Sequence, residues 1–363
     1  MGLLRLLLAI CVIASHTNPI FGLEMLKGDY AVEIFFMISG FYMSIILNEK
    51  YKGKGSYATF ISNRFLKIYP TYYVCTFIIL ITSFFFLRMF DNPLRFEPYI
   101  QYFNDIPLKA QTLLILSNIV IFGQDVVMFT GVDIKTGSFF FTNNFRISNP
   151  QLWNLLLNPP AWSISVELMF YLIAPLIVRK SIYFIFACIA VSFTIKFYII
   201  NILGWNNDPW TYRFFFSELY LFLLGSLSYK LITQNPRYIT GEFFPIMVLL
   251  TTMAFIVFYQ MIDIPYKSTL FLILFFIATP CIFNLTKNSK IDRYIGELSY
   301  PVYLIHWLIS ASTYKVIKEH MLIEYRGEIV MVISILVAIL ILHLIIKPID
   351  LYRQKRAASL KIS

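Results

Sequence analysis

The chain is 363 residues long, 58% of them apolar and 18% aromatic, with only 14% charged. A water-soluble globule cannot hide that much apolar surface, and the polar residues that disordered or nucleic-acid-binding segments need are missing, so those classes are excluded. The formal charge is +10, from 30 Lys and Arg against 20 Asp and Glu, and in a membrane protein its placement matters more than its size.

A membrane-crossing helix needs about 20 consecutive apolar residues. Taken in chain order, apolar runs predict spans near 3–19, 30–48, 66–87, 162–178, 181–201, 213–231, 243–261, 267–285, 297–316 and 327–347. The fold class expected is an all-α polytopic membrane protein with about ten transmembrane helices. The first run passes for the core of a signal peptide, but Arg5 lies inside it and no small-x-small cleavage site follows, so it reads as a retained span. The stretch 111–130 is interrupted by Ser117 and Asn118 and closed by Gln124 and Asp125. It is too short to cross and is expected to be re-entrant or interfacial. The wider stretch 89–161 reads as a lid or loop region. Cys11, Cys75, Cys188 and Cys281 all lie inside apolar runs with no close pair, which suits small apolar filler better than disulfide or metal chemistry.

The distribution of cations sets the expected orientation. With ten spans and the N-terminus inside, the cytoplasmic segments hold Arg5, Lys50, Lys52, Lys54, Arg64, Lys67, Arg179, Lys180, Lys230, Arg237, Lys287, Lys290, Arg293, Lys347, Arg353, Lys355, Arg356 and Lys361. Only Glu49, Asp292 and Asp350 oppose them there. An eleventh span at 111–130 would turn Arg179, Lys180 and the later basic loops outward. Ten spans with both termini cytoplasmic is therefore the expected topology.

Ionisable side chains inside apolar helices are costly and point to function by default. Here they are His16, Glu33, Glu167, Lys196, Glu218 and His306. All but His306 fall toward the outer ends of their spans, whereas His306 falls near the middle of its own. The result is a polar outer half above a basic inner face. Lys196 is expected to snorkel to the surface, and Glu218 to pair with Arg213. Arg5, Ala9, Val12 and His16 are spaced to share one stripe of the first helix, with His16 about 16 Å beyond Arg5. Ser299, Tyr303, His306 and Ser310 form a similar stripe on the ninth span, where helix–helix hydrogen bonding and function weigh equally. A metal or haem protein using His16 and His306 has no supporting i, i+4 histidine pair and no Cys–His cluster, so no metal is expected.

Five separated motifs now stand together. The first helix reads Arg5-x3-Ala9-x2-Val12-x3-His16. The second reads Val32-Glu33-Ile34-Phe35-Phe36-Met37-Ile38-Ser39-Gly40-Phe41, the third opens Arg64-Phe65-Leu66-Lys67-Ile68-Tyr69-Pro70, and the fourth opens Trp162-Ser163-Ile164-Ser165-Val166-Glu167-Leu168-Met169-Phe170-Tyr171. The ninth reads Gly296-Glu297-Leu298-Ser299-Tyr300-Pro301-Val302-Tyr303-Leu304-Ile305-His306. Over nearly its whole length the chain resembles the membrane-bound acyltransferase-3 family, the bacterial integral-membrane O-acyltransferases of surface glycans. Two positions depart from the family pattern: Lys67 stands for a usual Arg, which keeps the charge but loses the bidentate fork, and Glu33 stands where Asp is commoner.

The resemblance implies one acyltransferase-3-like transmembrane domain over 1–347, followed by a short basic cytoplasmic tail at 348–363. It implies a multi-pass protein of the bacterial cytoplasmic (inner) membrane. The implied activity is transfer of an acyl group, acetyl being expected, from cytoplasmic acyl-CoA to a hydroxyl of a surface or lipid-linked glycan on the outer face. Acyl-CoA is then a co-substrate, with no resident cofactor. Its partners are the glycan and the bilayer, with no nucleic acid. Such transfer needs a base for the alcohol, a held thioester and stabilisation of the oxyanion. His16 is the candidate base, or alternatively a transient acyl carrier, with Glu33 or Glu167 orienting the imidazole. Arg64, Lys67 and Arg5 are the candidate acyl-CoA-binding cations, with Lys54 better explained as an anchor. Ser39, Gly40, Trp162, Ser163, Tyr303 and His306 are candidate linings of the acceptor site or acyl channel. The competing class is a transporter or flippase of a lipid-linked sugar, which shares the span count and the buried charges but needs no acyl-CoA.

Overall fold

The computed structural model describes residues 1–53, 55–234 and 243–359, so Lys54, Arg237 and Lys361 lie outside the described residues. The chain is 76% helical. Its helices are α1 (Gly2–His16), α2 (Gly28–Glu49), α3 (Ser56–Phe90), α4 (Glu97–Tyr102), α5 (Leu108–Val120), α6 (Val126–Phe129), α7 (Trp162–Ile177), α8 (Ile182–Phe197), α9 (Phe215–Gln234), α10 (Phe243–Val257), α11 (Lys267–Thr286), α12 (Lys290–Glu319), α13 (Arg326–Ile341) and α14 (Lys347–Ser359). Every apolar run read as a span coincides with one of them. Among the described residues, six helical segments are long and apolar enough to cross a membrane: Gly28–Glu49, Ser56–Phe90, Pro159–Ile177, Ile182–Ile202, Lys267–Thr286 and Ile323–Arg356. α1, α5 and α10 are apolar but shorter. α12 has the length, at about 45 Å, but Ser299, Tyr300, Tyr303, His306 and Ser310 dilute its apolar middle.

The chain divides into two compact units. The first comprises Met1–Thr71, Ile173–Ile189 and Tyr220–Ser363, and the second Tyr72–Leu172 and Ala190–Leu219. In the first unit α1 packs on α2, α12 and α13, and α11 packs on both α2 and α10. Small residues permit the tightest of these contacts. A Cβ on Gly2 would lie 1.6 Å from the Asp292 carbonyl oxygen, and one on Gly296 would lie 2.7 Å from Gly2 Cα. α2 and α9 cross through a matching pair, where a Cβ on Gly40 would meet the Phe222 carbonyl oxygen at 1.8 Å and one on Gly225 the Met37 carbonyl oxygen at 1.9 Å. With no side chain on either helix the backbones close directly, as in small-xxx-small packing. The Ser226 hydroxyl then donates to the Gly40 carbonyl at 3.2 Å.

The first turn of an α-helix leaves backbone N–H groups without intrahelical acceptors. For α1 the acceptor comes from a distant segment: the Asp292 carboxylate takes the Gly2 N–H at 2.7 Å and the Leu3 N–H at 2.9 Å. Asp292 is held in turn by the N-cap of α12, its own N–H donating to the Ser289 hydroxyl at 3.1 Å. α1 and α12 therefore start together, and they run in the same direction. α14 folds back on the start of α3, where Arg353 Nε donates to the Asn63 carbonyl at 2.9 Å and Arg356 Nη2 to the Ser62 hydroxyl at 2.9 Å.

The second unit holds the stretch expected to be a lid or loop, which is built into short elements. α5 has 13 residues, about 20 Å, and ends where Ile121 takes a left-handed backbone with φ +62°. Asn118 fastens this end: its amide donates to the Leu155 carbonyl at 3.1 Å and its side-chain oxygen accepts the Leu157 N–H at 2.7 Å. Strands β1 (Thr130–Val132) and β2 (Phe139–Phe141) pair antiparallel with Thr130 opposite Phe141. Phe129, Ile199 and Trp210 form a local core, with Ile195, Trp205 and Phe214 packed against it.

Two expectations about charges are corrected in this unit. Lys196 does not snorkel away from its helix; its ammonium meets the fully buried Glu218 carboxylate at 2.9 Å. Glu218 accordingly does not depend on Arg213, which forms an ion pair with Asp208 instead. A carboxylate with no exposed surface needs a partner of opposite charge at hydrogen-bond distance, and α8 supplies it. The four cysteines are all free, as expected of apolar filler.

Candidate active site

The first unit brings together residues from four of the five motifs. His16 closes α1 and keeps its side chain exposed, whereas His306, midway along α12, is wholly buried. Nδ1 of His16 lies 3.0 Å from Nε2 of His306. The two ring planes are nearly parallel, 13° apart, with centroids 5.2 Å apart. Trp307 meets His16 edge-on at 4.9 Å. Nδ1 of His306 is 2.7 Å from the Tyr303 carbonyl oxygen, and the Tyr303 ring lies 6.4 Å from that of Phe35 on α2.

The pairing was not legible from the spans. The apolar runs place His16 at an outer end and His306 near mid-membrane. α1 is a short helix that starts level with the first turns of α12. From that shared start His16 lies about 21 Å along α1, and His306 about 24 Å along α12 from Lys290. The polar stripe Ser299-Tyr303-His306-Ser310 is the signal the sequence does offer, and His306 is the member of it that meets His16. In a Ser-His-Asp arrangement a carboxylate holds imidazole Nδ1. Here that nitrogen faces the His306 ring. Glu33 is nevertheless buried in α2 of the same unit.

At the other end of α1 the cations converge. Lys67 lies within electrostatic reach of Arg64, Arg5 and Arg353, so all three cations predicted to hold acyl-CoA share one neighbourhood. Arg64 is buried and sits over the Phe60 ring at 5.7 Å. Arg353 was read only as part of a basic tail. The packing of α14 against α3 brings it into this cluster, with Asp350 as its ion-pair partner. Ser39 is buried on α2, and Gly40 is the point at which α9 crosses that helix.

A cavity of about 210 Å³ opens beside the C-terminal end of α1. Ser15 and Thr17, the neighbours of His16, line it together with Asn18, Glu24, Lys27 and Gln260.

Trp162, Ser163 and Glu167 belong to the second unit. Arg213 stacks its guanidinium over Trp162 at 4.2 Å, and Tyr212 meets the same indole edge-on at 5.4 Å. The Ser163 hydroxyl donates to the Pro160 carbonyl at 3.2 Å, and the Tyr171 hydroxyl donates to Glu167. Between them, Ser165 donates to Asp125 at 2.6 Å and accepts the Gly123 N–H at 2.8 Å, fixing the turn after α5 to the first turn of α7. Burial pushes the Asp125 carboxyl up to about 6, against the hydrogen bond from Ser165.

Residues 1–347 match the family model described as an acyltransferase domain, the third of the acyltransferase families so numbered. Neither the curated proteins nor the solved structures contain a match to the chain.

Proposed function

The chain belongs to the acyltransferase-3 family, and from that premise we propose that this membrane acyltransferase is an O-acyltransferase of glycans. It takes an acyl group, acetyl in our reading, from acyl-CoA on the cytoplasmic side. It delivers that group to a hydroxyl of a surface or lipid-linked sugar on the outer face of a bacterial inner membrane. The observation that carries the proposal is the division of labour along α1. Arg5 stands among cations at one end and His16 stands against His306 at the other, about 16 Å apart.

Arg5, Arg64, Lys67 and Arg353 hold the phosphates of CoA, which are polyanionic and suited to charge-assisted hydrogen bonds. The thin pantetheine arm then follows α1 toward His16. His16 acts as general base, a role worth about 10² to 10⁴ in rate. As the sugar oxygen bonds to the thioester carbonyl carbon, its O–H proton passes to His16. The tetrahedral oxyanion collapses, the C–S bond breaks, and the proton is returned to the leaving thiolate. The products are the O-acyl sugar and CoA thiol. Glu33, buried in the same unit as His16, is the carboxylate that balances the imidazolium in this reading. Ser39 and Tyr303, in the same unit, line the path of the acyl group, and the sugar enters beside Ser15 and Thr17, where a cavity opens next to His16.

The parallel course of α1 and α12 supports ten spans over eleven, because an added crossing at 111–130 would make the two helices antiparallel. A His16→Ala variant that inserts normally is expected to leave the glycan unacylated by mass spectrometry. Acylation at the wild-type level in that variant would remove His16 from the mechanism.

A further inference from the structure

The hydrogen bonds around His306 determine where the protons of both histidines sit. The Tyr303 carbonyl oxygen, 2.7 Å from His306 Nδ1, can only accept, so Nδ1 carries the hydrogen. His306 is wholly buried, and the groups touching its two nitrogens are the backbone of Tyr303 and Val302 and the His16 imidazole, none of them a carboxylate, so the ring is held neutral. A neutral imidazole has one N–H. Nε2 of His306 therefore presents a lone pair, and the 3.0 Å contact requires Nδ1 of His16 to be the donor. Each step leaves one assignment.

We propose that His306 is a positioning residue: with the Tyr303 carbonyl behind it, it fixes His16 as the Nδ1–H tautomer and makes Nε2 of His16 the nitrogen that exchanges the proton with the acceptor sugar. The inference rests on the reading of His16 as general base. It assigns to a neutral imidazole the work that a carboxylate does in a Ser-His-Asp triad. During transfer an Nε2–H bond forms on His16 as the sugar O–H bond breaks. The Nδ1–H bond stays intact throughout, and its hydrogen bond to His306 becomes charge-assisted while His16 is an imidazolium. The near-parallel ring planes, 13° apart, suit an in-plane N–H···N bond, and the Trp307 edge against His16 keeps the imidazole from rotating out of this alignment.

Three substitutions at position 306 separate positioning from packing. His306→Ala removes the acceptor and is expected to lower kcat by about 10² to 10⁴, the upper figure being the cost of a lost tautomer lock in a serine protease. KM for acyl-CoA stays unchanged, because the cation cluster is untouched. His306→Gln places a side-chain oxygen near the former Nε2, accepts from His16 and recovers at least about tenfold of that loss. His306→Phe fills the same space without an acceptor and stays with the Ala variant. Equal rates for the Phe and Gln variants would overturn the proposal in favour of packing.

A second readout needs no turnover. The chain has four histidines, so ¹⁵N-histidine labelling of the full-length protein in lipid gives a spectrum that single variants can assign. His16 is expected with a protonated Nδ1 and an unprotonated Nε2, shifting to a tautomer mixture in the Ala variant. A wild-type His16 protonated on Nε2 alone would overturn the proposal whatever the rates show. If His16→Ala keeps full activity while the spectrum shows the Nδ1–H tautomer, the reading of His16 as base fails and the hydrogen-bond assignment stands.

Discussion

Lys67 and Arg353 reach the same patch from distant parts of the chain. Lys67 sits in the first half of α3, and Arg353 returns to it on α14, anchored at Asn63. If this patch holds the phosphates of CoA, Lys67→Ala and Arg353→Ala each raise KM for acyl-CoA by about 10- to 100-fold. That corresponds to the loss of about 1.5–3 kcal/mol for a hydrogen bond to a charged group. In both variants kcat is expected to hold, and Lys67→Arg to bind at least as well, since it restores the fork. Steady-state kinetics with varied acyl-CoA checks this, and a fall in kcat at unchanged KM contradicts it. The residues differ in how well the sequence announced them. Arg5, Arg64 and Lys67 stood out because each sits in a local motif beside an apolar run. Arg353 did not, because only the docking of α14 on α3 separates it from any other cation of a basic tail. His16 was legible as a costly polar group in an apolar helix, whereas its partner was not. A hydrogen bond between α1 and α12 depends on how two helices distant in sequence align, and apolar periodicity carries no record of that alignment.

At the level of elements, α1 and α12 are joined by two features of different character. Gly2 and Gly296 bring the backbones together, and Asp292 accepts the first N–H groups of α1. Asp292 precedes the apolar stretch of α12. Burial alone would raise its carboxyl, but the N-terminal ammonium and the Gly2 and Leu3 N–H groups outweigh burial and hold it below the usual Asp range. The folded protein thus takes up this proton less readily than the unfolded chain. The stabilisation is complete above the ordinary Asp value of about 4 and is lost as pH falls through the lower folded value. Asp292→Asn is expected to cost about 1 kcal/mol at neutral pH, in line with other helix caps, and to flatten the acid limb of thermal stability in detergent. An acid limb unchanged in the variant would show that Asp292 does not carry it. Element boundaries were largely legible, because long apolar runs can form little else. What composition could not supply was the ordering of 89–161, where α5, the hairpin and the Asn118 junction depend on side chains such as Arg95, whose Nη2 donates to the Asn154 carbonyl at 2.7 Å.

For the molecule as a whole, the family match over residues 1–347 and the helices long enough to cross a membrane make the chain a multi-pass membrane acyltransferase. The unit holding Arg5, Arg64, Lys67, His16 and His306 contains both ends of the proposed route: cations where α1 begins and the histidine pair where it ends. We propose that the route has a direction, with the donor entering at the cation end and the acceptor receiving the acyl group at the other. The direct test uses sealed proteoliposomes in which the protein has one orientation and the acceptor glycan is confined to the face opposite α14. Labelled acetyl-CoA is then supplied to one face at a time. Label is expected in the glycan only when acetyl-CoA is on the α14 face, and in neither arrangement with His16→Ala. Labelling that requires donor and acceptor on the same face, or that persists in the His16 variant, would contradict the account.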